Sequence, residues 1–488
     1  MLKSLSIALG LGLALTLSKA APAADPAPPA PTEQAGIPGT GAQGSWLGTL
    51  KAGAFSLRLA LEVTESDGKL SAVLDSIDQN AKIPVTSIES TTDGMKFAIA
   101  MINGAFTGKY SANGAEVAGT WTQNGNAMPL TFKRRASAFA LKRPQEPVKP
   151  YPYREEQVSF ANPKANGVTL AGTLTLPEGK GPFPAVVLMT GSGPQDRDEA
   201  LMGHKPFLVL ADHLTRAGIA VLRYDDRGIG ASKGNYATAT HFDFASDGNA
   251  AFNFLKTRAE VDARRIGLLG HSEGSVYAPY ITKDSSDVAF VVLLAGVGVP
   301  TRQLLERQGK DIVKAMGFDH TPSAAEIAIN DAVYARLALK KIDAETIEFL
   351  RAKMREAVAL TPENIRQALG LNDQYVESQL QVIMTPWFME LATYDATKEL
   401  RNIHCPVLAL FGDKDMQVAA QPNSAAMKST FAAAKNRDVT LQTFPGLNHL
   451  FQHAKTGAPS EYGAIEETMS PEVMNATAQW ILARRGGR

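Results

Sequence analysis

The sequence predicts a small antiparallel β domain, followed by a mostly parallel α/β domain that carries a helical insertion. Three observations predict it. Short apolar alternations between Gly, Asn and Asp turns fill residues 45–132. From Val158 onward, short aliphatic runs alternate with helical stretches, the pattern of a sheet covered on both faces. Between Thr301 and Leu400 that rhythm gives way to a long charged segment rich in Ala, Leu, Glu, Lys and Arg. The composition allows such a fold. The chain has 488 residues, 44% hydrophobic and 20% charged, with 49 Lys+Arg against 49 Asp+Glu. At roughly 150 residues per domain the length allows about three units. These values exclude a disordered chain, a collagen-like rod and a long coiled coil. Zero formal charge argues against nucleic acid as the main partner, because phosphate backbones call for a surplus of Lys and Arg. Cys405 is the single cysteine, so no intramolecular disulfide and no cysteine zinc site can form.

Taken in order, residues 1–24 read as a secretory signal. Lys3 gives a positive start, Leu5 to Leu17 is apolar, and small residues follow through Ala24. That apolar run falls short of the ~20 residues that span a bilayer as a helix. An uncleaved anchor is the alternative. Loss of Lys3 and Lys19 leaves 47 positive residues against 49 negative ones, a mature charge of about −2. The expected product is exported, to the periplasm or beyond, with no stable membrane insertion. Residues 25–44, rich in Ala, Pro and Gly, form a tether. The β domain is expected over 45–135 as a meander or small closed barrel. Turns sit at Ser66-Asp67-Gly68, Thr92-Asp93-Gly94 and Ala112-Asn113-Gly114. A second linker, 136–157, is stiffened by Pro144, Pro147, Pro150 and Pro152. The α/β domain then occupies 158–488. Its strand candidates include Ala185–Met189, Ala220–Tyr224, Ile266–Leu269, Phe290–Leu294, Val407–Phe411 and Val439–Gln442. The insertion, about 301–400, lies between two of these strands and is expected to cap the strand ends.

The chemistry centres on Gly270-His271-Ser272-Glu273-Gly274. A strand candidate precedes it and a helix candidate, Ser275 to Thr282, follows. A sharp strand-to-helix turn needs small neighbours, which Gly270 and Gly274 supply, and it holds the Ser272 hydroxyl out at the sheet edge. A hydroxyl is a poor nucleophile at neutral pH and needs a base. Of the eight histidines, His449 follows the last strand candidate and fits a loop at the strand ends. His271 adjoins the nucleophile and is expected to point away, and His404 precedes a strand at the wrong end of the sheet. His453, four residues after His449, lacks the intervening Glu of a metalloprotease helix. The base needs a carboxylate to hold its tautomer. Asp415, in the loop after Val407–Phe411, is the choice, with Asp413 the competitor.

Ser272, Asp415 and His449 follow the chain order Ser, Asp, His, and residues 158–488 resemble an α/β-hydrolase-fold serine hydrolase. Gly191-Ser192-Gly193-Pro194-Gln195-Asp196-Arg197-Asp198 and the β-rich front domain are similar to two-domain bacterial carboxylesterases. In that group a second glycine is usual where this chain has Ser275. The departure leaves the G-x-S-x-G pattern intact and bears on helix packing. By the logic of this fold, the backbone N–H of Glu273 and one from the Thr190–Gly193 turn form the oxyanion hole. Ser192 is aligned with the second donor, and Gly193 is the alternative. Asp226 and Arg227 are expected to pair and pin their loop, and Asp196, Arg197 and Asp198 are read the same way.

The resulting expectation is an exported serine hydrolase that cleaves small-molecule carboxylic esters through an acyl-enzyme, with no cofactor and no metal. Two readings compete with it. One is a serine peptidase on the same fold; the other is a non-catalytic glycan- or lipid-binding protein. Trp387, Phe388 and Met389 are candidate pocket walls or cap core.

Overall fold

The computed structural model describes residues 36–52, 55–77, 81–123, 126–139 and 142–484. The expected signal, residues 1–24, lies outside the described residues, as does most of the first tether. No helix among the described residues is long and apolar enough to cross a membrane.

The front domain is a nine-stranded antiparallel sheet. Its strands are β1 (Gly44–Ala52), β2 (Phe55–Ser66), β3 (Lys69–Ser76), β4 (Ala81–Pro84), β5 (Ser87–Ser90), β6 (Gly94–Ile99), β7 (Gly104–Tyr110), β8 (Glu116–Gln123) and β9 (Asn126–Arg135). They pair in the order β4-β3-β2-β1-β9-β8-β7-β6-β5. Alternation sends Met95, Phe97 and Ile99 of β6, and Leu130 and Phe132 of β9, into one core with Trp46, Phe106 and Trp121. Phe106 and Phe132 meet edge to face at 5.2 Å. Arg134 is next on that inner face. Its guanidinium stacks 4.0 Å over Trp46 and donates to the carbonyls of Gly41, Gln43 and Gly114. Of the two forms the sequence allowed, a meander or a closed barrel, the sheet takes the meander, curved into a half-barrel whose edge strands β4 and β5 share no ladder. Instead the chain crosses between the two edges at Val85 and Thr86, whose N–H groups bond Ala72 O and Ala98 O.

The Pro-rich segment is shorter and more firmly attached than a free linker. Strand pairing begins at Arg154, so the expected 136–157 spacer loses its last residues to the sheet. Arg143 donates to the carbonyls of Gly203 at 3.0 Å, Ile465 at 2.8 Å, Gly463 at 2.9 Å and Met202 at 3.2 Å. The Gln145 carbonyl accepts from the N–H groups of Thr468 and Met469. Both side chains thus staple the segment to residues 463–469. Arg143→Ala leaves several half-buried carbonyls without donors. It is expected to destabilise the protein by about 2 kcal/mol, read as a lower urea midpoint. Arg143→Lys, a point charge without the planar fork, should recover only part of that loss.

The larger domain is an eight-stranded sheet. It comprises β10 (Arg154–Ala161), β11 (Thr169–Leu176), β12 (Phe183–Met189), β13 (Ala220–Tyr224), β14 (Val261–His271), β15 (Val291–Leu294), β16 (Val407–Gly412) and β17 (Val439–Phe444). The order is β10-β11-β13-β12-β14-β15-β16-β17, antiparallel at the β10–β11 and β11–β13 pairs and parallel from there on. The continuous apolar runs follow from burial on both faces. Val187 and Met189 face one core, while Val186 and Leu188 face the other. The first face is covered by α2 (His241–Lys256) and α3 (Gly274–Asp284), the second by α1 (Pro206–Arg216).

The insertion folds as α4 (Thr301–Ala315), α5 (Ala324–Leu337), α6 (Ala344–Leu360), α7 (Glu363–Leu369), α8 (Asp373–Ile383), α9 (Pro386–Thr393) and the short α10 (Ala396–Glu399). Ser323 and Glu326 form a capping box at the start of α5. Leu337, Leu350, Ile383, Trp387 and Phe388 belong to the same core as β12 and β14, so the insertion is packed onto the sheet domain. Helices α11 (Ala420–Ala433) and α12 (Pro471–Ala483) complete the layers. Because β12 to β17 run parallel, the loops after β12, β14, β16 and β17 gather at one end of the sheet.

Candidate active site

The turn after β14 is as sharp as the glycines demand. A Cβ on Gly270 would lie 2.3 Å from the Gly274 backbone, and one on Gly274 would lie 2.2 Å from Met189 O. Ser272 itself has φ +52°, a left-handed conformation that costs a non-glycine residue about 1–3 kcal/mol. Its N–H bonds Leu294 O at 2.8 Å, which ties the turn to β15. Ser275 contributes as well: its hydroxyl donates to Ser272 O at 2.6 Å and accepts from Val297 N–H at 3.0 Å. The residue that departs from the glycine pattern therefore braces the turn. Ser272 is partly exposed, and its hydroxyl holds no hydrogen bond within 3.5 Å among the described residues.

The loops after β16 and β17 bring a carboxylate and an imidazole together. Asp415 Oδ2 lies 2.8 Å from His449 Nδ1, and both side chains are buried. The other oxygen, Oδ1, accepts from Gln417 N–H and Val418 N–H, both at 2.8 Å. That leaves Oδ2 aimed at the ring. Asp413 is turned elsewhere, accepting from Gly446 N–H at 2.7 Å at the surface. His449 rests against the turn, its ring centroid 4.9 Å from that of His271, the neighbour of Ser272.

The loop after β12 completes the arrangement. A Cβ on Gly191 would stand 3.4 Å from Ser272 Cβ, so the loop borders the hydroxyl. Two of its N–H groups are committed: Gly191 N–H bonds Glu199 Oε1 at 2.7 Å and Gln195 N–H bonds Asp226 Oδ2 at 2.9 Å. Pro194 has no N–H. Among the described residues the Ser192 and Gly193 N–H groups of this turn hold no hydrogen bond. Asp226 also accepts from Thr190 Oγ1 at 3.0 Å. Burial, opposed by these bonds and reinforced by the charges of Glu273 and Asp247, pushes its carboxyl up to about 8.

The expected Asp226–Arg227 pair does not form. Arg227 instead reaches Asp247 at 2.7 Å and Asp243 at 2.8 Å, both on α2. Asp226 faces the β12 loop, whereas Arg227 lies in the turn that the Ile229 N–H to Asp226 O bond closes. Arg197 pairs with Asp225 and Asp198 with Arg223, so the acidic and basic residues of the β12 loop serve as braces. His453 bonds Glu467 at the surface, and no group of three metal-ligating side chains occurs among the described residues.

With this geometry in hand, comparison with known proteins is informative. The family model described as serine aminopeptidase, S33 matches residues 205–455, just over half of the chain. The chain belongs to the serine aminopeptidase S33 family. It is a serine hydrolase of the α/β-hydrolase fold, as the resemblance implied. It is also similar to Esterase EstD of Thermotoga maritima, 27% identical over 381 residues, covering 77% of this chain and 79% of that protein. Among solved structures, a hypothetical protein from Pseudomonas aeruginosa aligns with TM-score 0.44 and 17% identity, covering 71% of this chain and 98% of that one. A Pyrococcus furiosus esterase aligns with TM-score 0.40 and 16% identity, covering 72% and 100%.

Two features of this S33-family site were not legible in the sequence. One is the Glu273 side chain, singled out only for its N–H. Its Oε1 accepts from Tyr277 OH at 2.7 Å and from Trp387 Nε1 at 2.5 Å, with His241 Nε2 at 3.2 Å. Trp387 is on α9, so the insertion is tied directly to the turn that bears Ser272, and Trp387 and Phe388 pack as buried cap core. The other is His271, which does turn from the Ser272 hydroxyl but reaches the base loop: its Nε2 lies 3.0 Å from His449 O. A histidine inside G-x-S-x-G is a visible signal, but its partners come from loops far away in the chain.

Proposed function

We propose that the protein is an exported carboxylesterase that works through Ser272, His449 and Asp415. The buried Asp415–His449 hydrogen bond, on loops that flank the Ser272 turn, is the observation that carries the reading. Ser272 attacks the ester carbonyl while His449 Nε2 takes its proton. Asp415 holds the Nδ1–H tautomer and stabilises the imidazolium. The N–H groups of Ser192 and Glu273 receive the oxyanion, a donor typically being worth about 10²–10³ in rate. The alcohol leaves with the proton from His449. Water then attacks the acyl-enzyme by the same route and regenerates the hydroxyl. The insertion is proposed to line the substrate pocket, and residues 1–24 to direct export.

The relative EstD supports esters, and the family description, serine aminopeptidase, favours peptides as the second reading. Purified protein is expected to hydrolyse p-nitrophenyl acetate and to turn over aminoacyl anilides negligibly. Amide turnover without ester turnover would reverse the assignment. Failure of a fluorophosphonate probe to label Ser272 would favour a binding protein instead.

A further inference from the structure

His271 sits between two acceptors. Its Nδ1 is 2.9 Å from Glu199 Oε1, and its Nε2 is 3.0 Å from the carbonyl oxygen of His449. A neutral imidazole has one N–H and can satisfy only one acceptor as donor; an imidazolium satisfies both. All three residues are buried. Glu199 Oε1 also accepts from Gly191 N–H at 2.7 Å, while its Oε2 is buried with no hydrogen-bond partner. Glu199 has φ +51°, a costly backbone conformation for a side chain that is not glycine. Such strain persists only where the surroundings enforce it, and here it aims a carboxylate at the ring.

We propose that Glu199 and His271 form a buried ion pair that positions the reacting groups, with His271 held as an imidazolium. The proposal rests on the serine-hydrolase reading of the site and extends it. One bond from the pair fixes the β12 loop through Gly191, beside the Ser192 donor. The other fixes the His449 backbone, and with it the base. Because His271 directly precedes Ser272, the pair joins three segments whose relative positions set the reaction geometry. The groups that face His271 are Glu199 from the β12 loop, His449 from the β17 loop and, further off, Asp415 from the β16 loop. Burial pulls the ring towards neutrality, but the charge and hydrogen bond of Glu199, the His449 carbonyl and the Asp415 charge outweigh it. They hold the imidazolium above the ordinary histidine value. Loss of that proton at high pH sets a lone pair against an acceptor on one side and frees one loop. The site should therefore lose activity at alkaline pH.

The test has two arms. In the first, kcat/KM for p-nitrophenyl acetate is measured across pH for wild type and Glu199→Gln. Wild type is expected to give a bell. Glu199→Gln is expected to shift the alkaline limb down by about one pH unit or more. Its kcat should fall about ten- to a hundredfold with KM nearly unchanged, because only positioning is lost. An alkaline limb that stays in place overturns the proposal. In the second arm, ¹⁵N-histidine NMR is recorded on Ser272→Ala, with His271→Asn as the assignment control. Both His271 ring nitrogens are expected to carry protons at a pH above the ordinary histidine pKa. A neutral ring, its Nδ1 accepting from a protonated Glu199, overturns it. This arm needs no turnover, so it separates failure of the ion pair from failure of the esterase reading, and it decides even if Glu199→Gln does not fold.

Discussion

Ser272→Ala is expected to lower ester turnover by about 10⁴–10⁶-fold while leaving the fold and its stability nearly unchanged. The size of the loss follows from the role: without the hydroxyl no acyl-enzyme forms, and only the oxyanion donors and substrate binding remain. The stability expectation follows from the surroundings. Among the described residues the Ser272 hydroxyl has no hydrogen-bond partner within 3.5 Å, so its removal strands no buried group there. The contacts that brace the turn are backbone ones: Ser272 N–H to Leu294 O, and Ser272 O from the Ser275 hydroxyl. Alanine keeps both and bears the positive φ about as serine does. The checks are kcat for p-nitrophenyl acetate and the urea midpoint. Residual activity above about a hundredth of wild type, with the midpoint unchanged, would remove Ser272 from the mechanism.

The second large effect is expected at Asp415. Asp415→Asn should reduce kcat by about 10⁴, whereas Asp413→Asn should change it less than about threefold. Three donors surround the Asp415 carboxylate: His449 Nδ1–H on Oδ2, and Gln417 N–H and Val418 N–H on Oδ1. Asparagine offers one carbonyl and one amide to this all-donor site. If its amide faces His449, Nδ1 must become the acceptor, and the proton moves to Nε2, which then cannot take one from Ser272. If the carbonyl faces His449, the amide hydrogens confront two backbone N–H groups. Asp413 differs because its one bond, from Gly446 N–H, needs only a carbonyl oxygen that asparagine retains. Steady-state kinetics on the two variants gives the ranking, and the reverse order would transfer the acid role to Asp413.

The contrast between these two aspartates marks where sequence reading stopped. Both lie in one loop with the same residue type, and loop residues carry no periodicity to orient them. Asp415 could be preferred only because it lies further beyond β16. The structure separates them by the Gln417 and Val418 amides, which hold one side chain towards His449. In the β12 loop, likewise, Glu199 and Asp226 occupy the Gly191 and Gln195 N–H groups, which leaves those of Ser192 and Gly193 available. The Asp226–Arg227 expectation failed for a related reason. Arg227 sits in a tight turn after β13, and its true partners lie on α2. Arg143 and Gln145 read as spacer because prolines surround them, although their side chains bond the segment at 463–469.

Local patterns in the chain were enough for the parallel sheet, the helical insertion between β15 and β16, the Gly-flanked turn at Ser272 and the loop that holds His449. Each is written in residues close together: aliphatic runs, turn glycines, the order of strand and helix. Only the folded molecule decided which of two aspartates meets the imidazole, which amides of the β12 loop are already bonded, and that Glu199 reaches His271. Those choices join residues tens to hundreds of positions apart, and no nearest-neighbour pattern records a contact made by loops that converge only when parallel strands align.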